Sequence, residues 1–372
     1  MSGEPATHLV IDCRYTRLGA HDGISRFTAS LVEHLLPLLR DDERLTMLIS
    51  DERQRAMLPA GVAAHRVSGP TSARELFVAR QVNRLAPDVV FSPMQTMGSR
   101  GRRYPLALTL HDLIYYAHPT PPRDLPGPVR LLWRLYHRAW WPQRMLLNGA
   151  DAIVTVSETT RGLIERHRLT RRPVVVVPNA ADRPDPAPQR TRPEGGIELV
   201  YMGSFMPYKN VETLARALHG MPGARLHLLS RIRPADRDRL LALAPAGAIV
   251  AHDGVSDEEY RALLDGATAL VHASRDEGFG IPLVEAMGRG TPVIASDTPI
   301  FREIGGDAAL YAPADDPQAF AAAVATLLAP GEWEARSRAG IAQAARFDWG
   351  RSAALLLELL RELAARGRAS GR

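Results

Sequence analysis

Residues 273–296 read ASRDEGFGIPLVEAMGRGTPVIAS, and the rhythm of this stretch sets the fold. An apolar run at 269–273 leads into a loop carrying Glu277, Gly278, Phe279 and Gly280. Ile281 and Pro282 then open a helical segment that bears Glu285, and a second apolar run follows at 292–296. Proline in a first helical turn costs nothing, because the N–H it lacks would have had no partner there. The glycines let a ligand come close to the backbone, and the free amides and dipole of the helix start attract a phosphate or a sugar hydroxyl. Strand, glycine loop, helix and strand in succession form the βαβ unit of a parallel sheet.

The same alternation extends in both directions. Short apolar runs at 198–202, 225–230, 248–251 and 309–311 predict further strands of one sheet, with helical patterns between them. Upstream runs at 8–13, 45–50, 88–91, 106–110, 152–156 and 174–177 predict a second sheet of the same kind. Between the two lies 179–196, NAADRPDPAPQRTRPEGG, dense in residues that resist regular structure. The expectation is an α/β protein of two doubly wound, Rossmann-like domains. The N-terminal domain takes 1–180, the linker 181–196 and the C-terminal domain 197–348. A Leu-rich helix and tail at 349–372 can pack back on the first domain. A chain of 372 residues also exceeds the roughly 250–300 at which single cores stop growing. Ligands of open α/β sheets bind outside the carboxyl ends of the strands, so the strand-to-helix loops are where function is expected.

Composition narrows the class. The single cysteine, Cys13, forms no internal disulfide, and the opening residues MSGEPATHLV lack the basic and apolar regions of a secretory signal. A cytoplasmic location follows as an expectation. No apolar run approaches the roughly 20 residues that cross a bilayer, so contact with a membrane would be peripheral. The net charge of +5 favours anionic partners. Of the basic residues 45 are arginine and one, Lys209, is lysine. A chain that uses arginine almost everywhere points, by its one exception, to a site that needs a compact ammonium.

The whole pattern closely resembles the donor-site signature of retaining family 4 of the glycosyltransferases, whose fold is GT-B. The resemblance rests on Glu277 and Glu285 with GFGIPLVEAMGRGTPVIAS between and after them. It extends to DGISRF at 22–27, LHDL at 110–113, VSE at 156–158, VVPN at 176–179 and YMGSFMPYKN at 201–210. It implies two domains facing a central cleft, and transfer of a hexose from a nucleotide-diphosphate sugar to a hydroxyl acceptor. Mannose from GDP-mannose is favoured and glucose comes next. No cofactor and no metal are implied. Catalytic roles fall to His111, Lys209 and Glu277. Donor binding falls to Gly23, Ser204, Lys209, Glu277, Gly278, Phe279, Gly280, Ile281 and Glu285, with Glu285 on the ribose and the backbone of residues 278–280 on sugar and phosphate. Acceptor binding falls to Arg26, His111 and Asp112. Lys209 would meet the leaving diphosphate, where a fixed cation stabilises the charge that develops as the glycosidic bond breaks.

One departure stands out. Many relatives pair the lysine with an arginine, but position 208 is Tyr and 204 is Ser. Arg26, Arg231 or Arg275 could supply the second charge, or Lys209 and backbone amides could act alone. A second feature is 130–147, RLLWRLYHRAWWPQRMLL, read as one helix with Arg130, Arg134 and Arg138 beside a stripe holding Trp133, Trp140 and Trp141. Such a helix could rest on an anionic lipid surface at the inner face of the membrane and receive a lipid-linked or cell-envelope acceptor. Alternatively, its tryptophans pack inside the domain and its arginines are simply solvated. Two other functions compete with sugar transfer. A GT-B-type sugar-nucleotide epimerase or phosphorylase would use a similar site. A basic nucleic-acid-binding protein would account for the charge, although no recognition module is present and the arginines are dispersed.

Overall fold

The computed structural model describes residues 7–19, 23–121, 126–182, 184 and 189–370. Asp22 of the DGISRF loop and residues 183 and 185–188 of the expected linker lie outside the described residues.

The chain begins with β1 (Thr7–Asp12), α1 (Gly23–Leu35), β2 (Glu43–Ile49), β3 (Ala63–Arg66), α2 (Val78–Val82), β4 (Val89–Ser92) and β5 (Leu106–Leu110). It continues with α3 (Ile114–Ala117), α4 (Gly127–Tyr136), α5 (Trp141–Asn148), β6 (Ala152–Thr155), α6 (Glu158–Arg166) and β7 (Val174–Val176). The second series is β8 (Glu198–Tyr201), α7 (Val211–Ala217), β9 (Arg225–Leu228), α8 (Pro234–Leu243), β10 (Ile249–Ala251), α9 (Asp257–Gly266) and β11 (Ala269–His272). After these come α10 (Ile281–Gly288), β12 (Val293–Ser296), α11 (Pro299–Gly305), β13 (Leu310–Ala312), α12 (Pro317–Leu327), α13 (Glu332–Ala344) and α14 (Trp349–Ala369).

These elements form two compact units. Unit 1 takes Met1–Asn179 and Asp348–Arg372, and unit 2 takes Ala180–Phe347. In unit 1 the strands lie in the order β3-β2-β1-β4-β5-β6-β7, all parallel. In unit 2 they lie in the order β10-β9-β8-β11-β12-β13, again all parallel. Parallel strands covered on both faces read as continuous apolar runs, and the strands VVFS, LALTL and AIVT are buried at every position.

Two elements differ from the sequence reading. Strand β3, AAHR, was not expected: it lies at the sheet edge with its residues half-buried or exposed, so it needs no apolar run. The helix expected at 130–147 is two helices, α4 and α5, because Pro142 sits in the first turn of α5 and cannot continue a helix from before it.

Helix α14 belongs to unit 1. Asp348 caps it by accepting from the Arg351 amide at 3.0 Å, and its buried face of Leu356, Leu357, Leu360 and Leu363 packs along α1 and β4. At its start the Trp349 ring lies 6.2 Å from that of Phe27 on α1. The carboxyl end of β1 is fixed by a buried ion pair: Arg14 meets Asp12 at 2.7 Å and Glu75 at 2.5 Å, and the Ser92 hydroxyl donates to Asp12. Satisfied on every side, this network ties the loop after β1 to β4.

Candidate active site

In unit 2 the chain leaves β8 toward one edge of the sheet and returns to β11 on the other side of β8. The loops after these adjacent strands therefore diverge at the topological switch point, where open α/β sheets bind ligands. Lys209 follows β8 and Glu277 follows β11. Their side chains meet, Lys209 Nζ to Glu277 Oε1 at 2.5 Å, with only 14% and 10% of their surfaces exposed.

Both loops are held by local geometry. Pro207–Lys209 forms a single tight turn that ends at Asn210 in the left-handed region, φ 53°. Asn210 is buried, and its amide donates to the Ala314 carbonyl at 2.6 Å while its oxygen accepts from Thr213 and from Arg275. Arg275 adds a backbone bond to the Tyr208 carbonyl, a guanidinium bond to the Pro207 carbonyl and an ion pair with Asp315 at 2.5 Å. In this arrangement the Arg275 guanidinium braces the Lys209 turn. In the other loop Gly280 takes φ 95°, and a β-carbon there would lie 3.0 Å from the Phe301 ring, so any other residue is both strained and crowded.

Beneath the ion pair lies a group that the sequence reading did not single out. His272 closes β11, buried, with Nε2 3.3 Å from the Met202 carbonyl and Nδ1 2.9 Å from the Ser274 hydroxyl. A carbonyl only accepts, so the ring proton belongs on Nε2, and Nδ1 accepts from Ser274. Burial pushes the His272 ring down to about 4, against a smaller opposing effect of Glu277. Its Nδ1 lies 3.8 Å from Glu277 Oε1 but, being neutral, forms no ion pair. Burial acts to raise the Glu277 carboxyl, yet the charge and hydrogen bond of Lys209 outweigh it and hold the group below the ordinary carboxylate range. Glu277 is therefore ionised at neutral pH.

The remaining residues expected at the donor site divide by role. Glu285 projects from α10 and accepts from the Tyr260 hydroxyl at 2.9 Å, a buried partner on α9 that no local motif announces. Ile281 begins α10. Phe279 is buried edge-on against Phe347, ring centroids 5.4 Å apart, so its side chain anchors the glycine loop in the core. Ser204 has an exposed side chain, and its carbonyl accepts from the Tyr201 hydroxyl at 2.6 Å. The sequence also holds an Asp-x-Asp triplet, 236–238, not expected at this site; it lies within α8, where residues two apart point to different sides, and Asp236 is paired with Arg239 at 3.0 Å. Among the described residues no three His, Cys, Asp or Glu side chains are grouped to hold a metal ion.

His111, Asp112, Gly23 and Arg26 belong to unit 1. His111 follows β5, donates from Nε2 to the Pro93 carbonyl at 2.8 Å and lies edge-on to Phe27 at 5.2 Å. Asp112 accepts from the amide of Ile114, the first residue of α3, at 3.1 Å. Gly23 and Arg26 form the first turn of α1, and their neighbour Ile24 joins His111 and Asp112 in lining a cavity of about 270 Å³. Met94 and Gln95 from the loop after β4 and residues of α3, α4 and α5 supply most of the remaining wall.

The outer side of α4 and α5 carries exposed apolar groups: Leu131 60%, Leu132 69%, Leu135 52%, Trp141 63% and Met145 69%. Arg134, Arg138 and Arg144 are exposed beside them. Trp133 and Trp140, by contrast, pack inward against Tyr115, Tyr116, His137 and His167. No helix among the described residues is long and apolar enough to cross a membrane.

Comparison with known proteins agrees with this architecture. The family described as Glycosyltransferase Family 4 matches residues 23–183, and Glycosyl transferases group 1 matches residues 196–330. The chain is 29% identical over 261 residues to the O-antigen chain mannosyltransferase B of Escherichia coli, covering 65% of this chain and 66% of that protein. It is 30% identical over 302 residues to the GDP-mannose:cellobiosyl-diphosphopolyprenol alpha-mannosyltransferase of Xanthomonas oryzae pv. oryzae, covering 69% of this chain and 77% of the relative. Matches to two other mannosyltransferases span 20% and 54% of their lengths, so the chain covers less than two thirds of several of its relatives. Among solved structures, sucrose-phosphate synthase from Thermosynechococcus elongatus superposes with a TM-score of 0.72 at 18% identity, covering 97% of this chain and 100% of that one. The two switch-point loops, the paired doubly wound sheets of the GT-B fold and these matches lead to one conclusion: the chain belongs to the family 4, group 1 glycosyltransferases.

Proposed function

We propose that this protein is a retaining hexosyltransferase that moves mannose from GDP-mannose to a hydroxyl of a lipid-linked or cell-envelope glycan, without a metal. The observation that carries the reading is the juxtaposition of Lys209 and Glu277 at the switch point of unit 2, beside the amides that open α10. The donor's diphosphate would take the Lys209 ammonium and those amides, its ribose would meet Glu285, and Glu277 would hold hydroxyls of the sugar. As the bond from the anomeric carbon to the phosphate oxygen breaks, its electron pair stays on the phosphate, where Lys209 stabilises the charge. The acceptor hydroxyl attacks from the same face and passes its proton to the departing phosphate oxygen, which preserves the anomeric configuration. The ionised Glu277 stabilises positive charge at the anomeric carbon.

Mannose and a guanine nucleotide are favoured because relatives in the same family bear mannosyltransferase names, one of which specifies GDP-mannose. A lipid-linked acceptor at the inner membrane face is supported by the exposed leucines, Trp141 and arginines of α4 and α5. His111, Asp112 and Arg26 would receive the acceptor in unit 1. The test is a thermal-shift panel of nucleoside diphosphates and nucleotide sugars, followed by NMR of the product's anomeric proton. A ligand that binds only the folded state raises Tm by mass action. Stabilisation by GDP and GDP-mannose and an α-linked product are expected. Indifference to every nucleotide sugar defeats the proposal, and conversion of the sugar with no acceptor present favours an epimerase instead.

A further inference from the structure

The cavity at the end of β5 contains an unused hydrogen-bonding group. Gln143, on α5, is 98% buried and lines the cavity. Its amide oxygen accepts from the Tyr136 hydroxyl at 3.0 Å, but its Nε2 has no hydrogen-bond partner among the described residues. Rotating the amide exchanges donor for acceptor and still leaves one of the two unmatched. Native structures seldom bury such a group unless something outside the chain completes it.

The surroundings state what that is. The wall beside Gln143 is made of Tyr116, Tyr136, His137, His111 and Asp112. The rings are locked in place: Tyr116 stacks on Trp140 at 3.9 Å, and His137 lies edge-on to both Tyr116 and Tyr136 at about 5 Å. Among the described residues that line the cavity none is lysine or arginine and one is Asp112, which disfavours a phosphate or nucleotide there. A purely apolar ligand would leave the buried Gln143 amide unanswered. The volume of about 270 Å³ lies below the roughly 300–1,000 Å³ of sites for drug-sized molecules. What remains is a small, neutral, polyhydroxylated ring, whose C–H face packs on aromatic groups while adjacent hydroxyls bridge an amide.

We propose that this cavity is a pyranose subsite that receives the sugar residue of the acceptor, and that Gln143 reads its hydroxyls. This deepens the glycosyltransferase reading and rests on it for the word acceptor, but not for the binding itself. The test titrates the full chain, free of nucleotide, with methyl α-D-mannopyranoside, methyl β-D-glucopyranoside and methyl β-D-galactopyranoside by saturation-transfer NMR. At least one is expected to bind in the millimolar range, and Gln143→Met to weaken it at least tenfold. In that variant the affinity for GDP and the slow hydrolysis of nucleotide sugar without acceptor should be unchanged, while kcat/KM for acceptor falls by a similar factor. Its Tm should stay within about a degree or two of the wild type's, because removing the unmatched Nε2 offsets the loss of the Tyr136 hydrogen bond. Three results overturn the proposal: no pyranoside binds, Gln143→Met binds it as well as the wild type does, or the variant melts several degrees lower, which makes the amide a structural group. Gln143-dependent binding in a protein that consumes no nucleotide sugar would sink the glycosyltransferase reading and leave the subsite standing.

Discussion

Lys209 and Glu277 neutralise each other in the unliganded protein, and an arriving diphosphate competes for the same ammonium. Lys209→Ala removes one preorganised charge from the leaving group, a loss of about 2–4 kcal/mol of transition-state stabilisation and on the order of 10²–10³ in kcat. Lys209→Arg is also expected to be impaired, because a planar fork does not replace a compact ammonium. Steady-state kinetics with saturating donor measure both, and near-normal turnover in the alanine variant would remove Lys209 from the mechanism. His272 makes a separate prediction about stability. Its folded pKa of about 4 lies below the ordinary 6.5, so between these values the unfolded chain binds a proton that the folded protein refuses. Stability is complete above pH 6.5 and declines as pH falls toward 4, by at most about 3 kcal/mol from this residue. His8, His137 and His252 are also lowered by burial, so the measurement is the difference in Tm between wild type and His272→Gln across pH 4–7. A difference that does not change with pH contradicts the assignment.

At the scale of elements, the glycine loop before α10 is a tightly constrained joint of unit 2. Gly280→Ala places a methyl group 3.0 Å from Phe301 and asks an L-residue to hold φ 95°, a cost of about 1–3 kcal/mol. A lower Tm together with a raised donor KM is expected, and an unchanged Tm would mean that the loop rearranges freely. This joint was legible in the sequence because its strand, glycines, helix-opening proline and following strand are adjacent. The same holds for most strands, whose burial on both faces leaves an unbroken apolar run. Strand β3 escaped because an edge strand with exposed side chains has no such run. The break between α4 and α5 was visible in Pro142 and was overridden by the regular spacing of the arginines. Lys209 was conspicuous as the one lysine. His272 gave a local signal, a histidine inside an apolar strand, that went unread. Tyr260 and Gln143 gave none: each acquires its meaning from a partner on another element, Glu285 or the cavity wall, and one chain's spacing does not record such meetings.

For the molecule as a whole, the leucines and Trp141 on the outer side of α4 and α5, edged by arginines, predict binding to vesicles containing anionic phospholipid and little binding to phosphatidylcholine alone. Each arginine near such a surface contributes about 1 kcal/mol, and salt weakens the attraction. Co-sedimentation should therefore fall with ionic strength and with Leu132→Glu or Leu135→Glu. Equal recovery with neutral vesicles, or none with anionic ones at low salt, would contradict a charge-guided apolar contact. The return of α14 to unit 1 has a different consequence, for the order of synthesis. Five buried leucines at about 1.5–3 kcal/mol each represent much of the roughly 5–15 kcal/mol margin of an ordinary domain. While the ribosome is still translating Ala180–Phe347, at about 5–20 residues per second, the nascent first unit waits with its α1 groove open. The later-made, contiguous unit 2 can close on its own, so the half of the chain that is born first is the half completed last.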